Sequence, residues 1–243
     1  MKKAISALLV RFFGLFAGVT AITLQLVFNI TSNNGFMSNH VLAYFTLQTN
    51  IFTTVIFALL LLKTAWVGIK THKLEVVHIY PSFHLGCTFY ITITMLVYWL
   101  VLAPTVGLAY KNPLLISSNI FLHTITPLFA IVDCIFFFKH GSLNWKDAFK
   151  WLTYPILYLI SVIIIANVST EPYYIFPMNG KDIALMYPYP FLDPQVVGVG
   201  GMIGVIIALC LLVIGFGSLY VFVDNKIAKG LAKKQAQKDE QIA

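Results

Sequence analysis

Residues 44–50 read YFTLQTN and place Thr46, Gln48, Thr49 and Asn50 at the head of a long apolar run. A second polar intrusion, FLHTITPL at 121–128, sets His123 in an equally apolar stretch. A threonine hydroxyl is too weakly acidic to act alone as a nucleophile, and histidine is the usual base that activates one. Thr46 and His123 could therefore carry acyl transfer, as nucleophile and general base. Two carboxamides, Asn50 and Gln25, could donate hydrogen bonds to the oxyanion. A packing role competes with this reading. Thr in an apolar helix commonly bonds the carbonyl one turn back, Asn ties helices together, and a lone His is often a neutral ring on a neighbouring carbonyl. Residue types alone leave both readings open.

These residues need elements to hold them. Thr46, Thr49, Asn50 and Thr53 fall at i, i+3, i+4 and i+7, which is one face of a helix. The chain is 59% hydrophobic and 10% charged, with a mean hydropathy of +0.84. A soluble domain carries about 25% charge. Six stretches approach the roughly 20 apolar residues that a span needs. They are Phe12–Ile30, Val41–Leu62, Pro81–Leu102, Ser117–Phe138, Trp151–Val168 and Val196–Val223. The predicted fold is all-α, an integral membrane bundle of six transmembrane helices. Residues 1–225 form the transmembrane domain and 226–243 a basic cytoplasmic tail. MKKAISALLVRFFGLFAG reads as an uncleaved first helix rather than a signal peptide. Pro127 and Pro155 should kink the spans that hold them.

The net charge of +7 is a matter of placement. With the N-terminus inside, fourteen of the Lys and Arg residues lie in cytoplasmic segments and two, Lys111 and Lys181, outside. This positive-inside bias puts both termini in the cytoplasm, and it argues against a nucleic-acid site. The six histidines are scattered with no metal-ligand spacing, so no metal or other cofactor is predicted. Cys87, Cys134 and Cys210 lie within spans and read as packing residues. Gly200, Gly204 and Ala208 form a small-residue ridge that another backbone could approach.

Depth groups the polar residues into layers. Thr46 lies five residues below Val41, and His123 six below Ser117. At about 1.5 Å per residue, both sit roughly 8–9 Å below the outer helix ends. Gln25 and Asn29, on an outward-running first span, reach a similar level. An ionisable residue inside a membrane is a functional candidate. Asp133 and His84 form a lower layer and could pair. Asp133 lies about 15 Å below His123 and cannot form a direct dyad with it, so it reads as a structural anchor. No carboxylate shares the His123 level unless Asp193 or Glu171 folds in from the outer segment 169–195. Pro172, Pro177, Pro188, Pro190 and Pro194 rule out a regular helix over most of that segment. Its tyrosines suit the membrane interface, and a cap over the outer mouth is predicted.

YFTLQTN, FLHTITPLFAIVD, WKDAFKWLTYPILYLI and YPYPFLD occur in that order between about residues 40 and 195. Together they resemble the bacterial six-helix relatives of the androgen-induced membrane protein family. The resemblance implies a membrane hydrolase whose Thr and His cleave esters between fatty acids and hydroxy fatty acids, here near the outer leaflet. The family Thr matches Thr46 and the family His matches His123. Animal members carry a second His where this chain has Asn119 or Ile120, and they lack a clear YPYPFLD. The implied partners are a lipid or fatty-acyl ester substrate and membrane lipids, and the implied location is a bacterial plasma membrane. The competing reading is a non-enzymatic lipid-binding or transport-associated scaffold. Against transport, the chain lacks inverted halves with paired broken helices. Nothing in the sequence specifies an oligomeric state.

Overall fold

The structure, a computed structural model, describes residues 1–32, 40–106, 112–178 and 181–242. The connections expected at 31–40 and 107–112 lie largely outside these residues. The fold is all-α, with six helices long and apolar enough to cross a membrane. They are α1 Lys2–Ser32, α2 Phe45–Thr71, α3 Pro81–Leu102, α4 Pro113–Phe137, α5 Trp145–Val168 and α6 Pro194–Gln241. Several bounds differ from hydropathy alone. α1 continues back through Arg11 to Lys2, and a 3₁₀ turn at Val41–Ala43 precedes α2. α6 runs on through the basic segment, which is an exposed helical extension. The chain forms two compact units, Met1–Ser142 with α1 to α4 and Leu143–Ala243 with α5 and α6.

Helix starts follow local chemistry. Asn112 caps α4, its side chain accepting from the Leu114 N–H at 2.9 Å, with Pro113 at the first helical position. Asn144 and Asp147 form a reciprocal capping box at the start of α5. Asp193 accepts from the N–H groups of Gln195 at 2.8 Å and Met186 at 3.0 Å, and so caps α6. Pro155 does not kink a continuous helix. A turn at Trp151–Leu152 interrupts α5, and the helix restarts at Thr153. This puts Pro155 in a first turn, where its missing N–H costs nothing.

Pro127 acts through a wider turn. α4 contains a π turn at Phe121–Ile125, and α3 ends in another at Tyr98–Leu102. Each stands two residues before a proline, Pro127 and Pro104. A proline in a helix lacks an N–H and crowds the carbonyl four residues back, and one extra residue in the turn relieves that crowding.

In the first unit, α1 lies close against α2. Ala7, Gly14, Ala17, Gly18 and Ala21 are all buried. A Cβ at Gly14 would fall 2.6 Å from the buried Phe57 ring, and one at Gly18 would collide with the Thr54 side chain. Gly14→Ala is therefore expected to cost about 1–3 kcal/mol through overpacking, seen as a lower melting temperature in detergent. An unchanged melting temperature would contradict the close seam. On the Gly200–Gly204–Ala208 ridge, a methyl added at Gly200 or Gly204 meets nothing within 4 Å among the described residues.

Between α5 and α6 the chain makes a two-stranded antiparallel hairpin, β1 Tyr174–Met178 and β2 Lys181–Leu185, with Phe176 opposite Ile183. Apart from a 3₁₀ turn at Pro190–Leu192 and the start of α6 at Pro194, the proline-rich segment thus forms no regular helix among the described residues, as its composition predicts.

The charge bias supplies a test of orientation. A cysteine replacing Asp182 in the hairpin should react with an impermeant thiol reagent in intact cells, and one replacing Lys234 should not. The opposite pattern would invert every depth assignment.

Candidate active site

The helix-2 stripe is buried as its periodicity requires. Thr49, Asn50 and Thr53 are each 2% exposed or less, whereas Thr46, in the first turn of α2, is only half-buried. The Thr53 hydroxyl donates to the Thr49 carbonyl at 2.9 Å, and Thr54 to that of Asn50 at 2.7 Å. Thr49 lies 3.0 Å, hydroxyl to hydroxyl, from Thr94 on α3. The Asn50 amide nitrogen donates to the Thr46 carbonyl at 2.9 Å and to the Leu122 carbonyl on α4 at 3.1 Å.

The π turn explains why Asn50 is needed. The Thr126 N–H reaches back to the Phe121 carbonyl, and Pro127 has no N–H to offer. The Leu122 and His123 carbonyls thereby lose their regular helical donors. Asn50 satisfies the first, and the Trp99 indole N–H satisfies the second at 3.2 Å. Both amide hydrogens of Asn50 are thus committed, which removes Asn50 as an oxyanion donor. Its Oδ1 is buried and has no hydrogen-bond partner among the described residues.

His123 sits inside that π turn, 4% exposed. Its ring stacks on Tyr98, centroids 3.7 Å apart and planes 6° from parallel. The Thr94 backbone carbonyl lies beside the ring, while Nδ1 has no hydrogen-bond partner among the described residues. With the ring proton on Nε2, Nδ1 would carry a free lone pair. Within the unit of α5 and α6, Asp193 accepts from the N–H groups of Met186 and Gln195, and Glu171 is exposed.

No family model, curated protein or solved structure matches the chain. The functional reading rests on this geometry and on the motif resemblance.

The upper layer therefore joins α1 to α4. Gln25 Oε1 accepts from the Ser118 hydroxyl at 2.7 Å, tying α1 to α4 five residues before His123. Only the amino end of Gln25 could then face an oxyanion. Among the described residues no hydrogen bond joins Thr46 directly to His123. They meet through Asn50, whose amide contacts the Thr46 carbonyl and the residue before His123. Thr94, Tyr98 and Trp99 on α3 were invisible to a search for reactive side chains. The spacing of Pro104 and Pro127 behind the two π turns is the signal that points to this level.

The lower layer contains more than Asp133 and His84. Arg11 Nε donates to Asp133 Oδ1 at 2.7 Å, and both side chains are 1% exposed. Arg11 belongs to the interior, so the positive-inside count rests on the lysines. Its Nη1 donates to the Val77 carbonyl at 3.1 Å. His84 Nε2 lies 3.2 Å from Asp133 Oδ2, off the line of a full hydrogen bond. His78, in the connection between α2 and α3, borders this cluster. Its burial, and next the Arg11 charge, hold its pKa below the ordinary histidine value. Phe57, Ile91 and Ala130 pack together in an apolar cluster on α2, α3 and α4, at sequence positions between the two polar layers.

Proposed function

We propose that this multi-pass membrane protein is an ester hydrolase acting on fatty-acyl esters within the membrane, with Thr46 as nucleophile and His123 as general base. One observation carries the reading: a histidine only 4% exposed keeps a ring nitrogen, Nδ1, without a hydrogen-bond partner among the described residues, in the layer where Thr46 is half-buried. The Thr46 oxygen attacks the acyl carbon, its proton passes to His123, and the proton then goes to the departing alkoxide. The Thr46 N–H lies in the first turn of α2, where helical N–H groups have no intrahelical acceptor and the helix dipole favours negative charge. That N–H is the oxyanion donor in this reading. The motif resemblance supports esters of hydroxy fatty acids as substrates and a bacterial plasma membrane as the location.

A non-enzymatic scaffold is the second reading, favoured by the interhelical bonds of Thr49 and Asn50. An electrophilic probe of serine and threonine hydrolases separates the two. Labelling of wild-type membranes that disappears in Thr46→Ala supports the hydrolase. Equal labelling of both, or none of the wild type, favours the scaffold.

A further inference from the structure

Three buried polar atoms beside the π turn of α4 lack a hydrogen-bond partner among the described residues: Asn50 Oδ1, His123 Nδ1 and Thr126 Oγ1. Their residues are 0%, 4% and 0% exposed. Their three residues are grouped by chain position around the Leu122 carbonyl. Asn50 is bonded to it at 3.1 Å, His123 is the next residue, and Thr126 lies one turn further along the same helix. Unpaired polar groups in so dry an interior are costly, and native proteins rarely tolerate a cluster of them. Their chemistry specifies a complement. Asn50 Oδ1 can only accept, because both amide hydrogens are spent on carbonyls. His123 Nδ1 also accepts when the ring proton sits on Nε2, the tautomer this site requires. The Thr126 hydroxyl can donate. Two acceptors and one donor fit a single water molecule, which has two hydrogens to give and lone pairs to receive.

We propose that Asn50 Oδ1, His123 Nδ1 and Thr126 Oγ1 hold one water molecule, and that this water is the hydrolytic water of the reaction. The second clause rests on the hydrolase reading; the site itself does not. A water at this point lets His123 serve Thr46 without touching it, since one intervening water suffices for general-base transfer. Once the acyl group is on Thr46, the water oxygen bonds to the acyl carbon and its proton moves to His123 Nδ1. The bond from that carbon to the Thr46 oxygen then breaks, and the proton returns to the Thr46 oxygen. The products are a carboxylic acid and the free enzyme, and another water refills the site. Asn50 and Thr126 are positioning residues in this scheme, and His123 is the base.

Thr126→Val tests the site, because valine keeps the branched shape and removes only the hydroxyl. With water bound, the change strips a partner from it, and the melting temperature in detergent should fall by about 2–4 °C. Hydrolysis of a long-chain p-nitrophenyl ester should slow about tenfold, and Thr126→Ser should restore both. A melting temperature that stays level or rises would overturn the site, since valine would then have relieved an unpaired hydroxyl. A lower melting temperature with wild-type turnover would overturn the catalytic role. If the wild type hydrolyses no ester while Thr126→Val still melts lower, the hydrolase reading fails and the hydrated site stands.

Discussion

Asp133→Asn is expected to cost the fold about 3–5 kcal/mol, because it leaves the Arg11 guanidinium charged, buried and without its counter-ion. Asp133 and Arg11 are each 1% exposed and meet at 2.7 Å. The asparagine can still accept one hydrogen bond, so the loss measures the charge rather than the shape. Arg11→Met should cost a similar amount by stranding the carboxylate. The double variant Arg11→Met/Asp133→Leu should recover most of it, since well-packed apolar residues often replace a buried ion pair without loss. Melting temperatures of the four proteins in one detergent decide the matter. A double variant as unstable as the sum of its parents would mean that the pair contributes packing rather than charge compensation. Ester turnover of the folded Asp133→Asn protein should stay within a modest factor of wild type, because the cluster of Phe57, Ile91 and Ala130 separates this layer from His123 in sequence position.

Thr46→Ala and His123→Ala should each lower ester turnover on the order of 10³-fold, and the double variant should fall no further. Residues that act as one unit lose their function when either is removed, so the second loss adds little. The control has to be chosen from the contacts. Thr49 is one turn from Thr46 on the helix, but it is bonded to Thr94, whose carbonyl lies beside the His123 ring. Thr53 donates only to its own helix at 2.9 Å, and Thr53→Val should retain most activity. Additive losses for Thr46 and His123, or full activity in Thr46→Ala, would refute the dyad.

The spans were legible because hydropathy summed over some twenty residues is a strong local signal. The buried face of α2 was legible from the 3.6 period, and the meeting of His84 with Asp133 from a count of residues along two helices. Other features depend on partners that a linear reading does not supply. Arg11 lies near one end of the chain and reads as an anchoring charge, and only the apposition of α1 and α4 makes it the partner of Asp133. Thr94 contributes a backbone carbonyl, which every residue possesses, so no side-chain pattern announces it. Pro127 marked a disturbance in α4, but the choice of a π turn over a kink depends on Asn50 and Trp99 being present to take the freed carbonyls. Asn50 looked like an oxyanion donor because its amide is polar and well placed. The structure spends that amide on the distorted turn.

The apolar cluster of Phe57, Ile91 and Ala130 has a consequence for bioenergetics. A membrane that stores about 2.3 kcal/mol per elementary charge for every 100 mV cannot tolerate a protein that lets protons slip across it. This chain carries a buried imidazole on one side of the cluster and an Arg–Asp–His group on the other. Thr88 and Thr92, also buried on α3, give their hydroxyl protons to carbonyls one turn back, at 3.3 and 2.7 Å. Protons so held do not pass along a wire. Phe57, Ile91 and Ala130 offer no atom to carry one further, so the cluster itself interrupts any relay between the two polar layers.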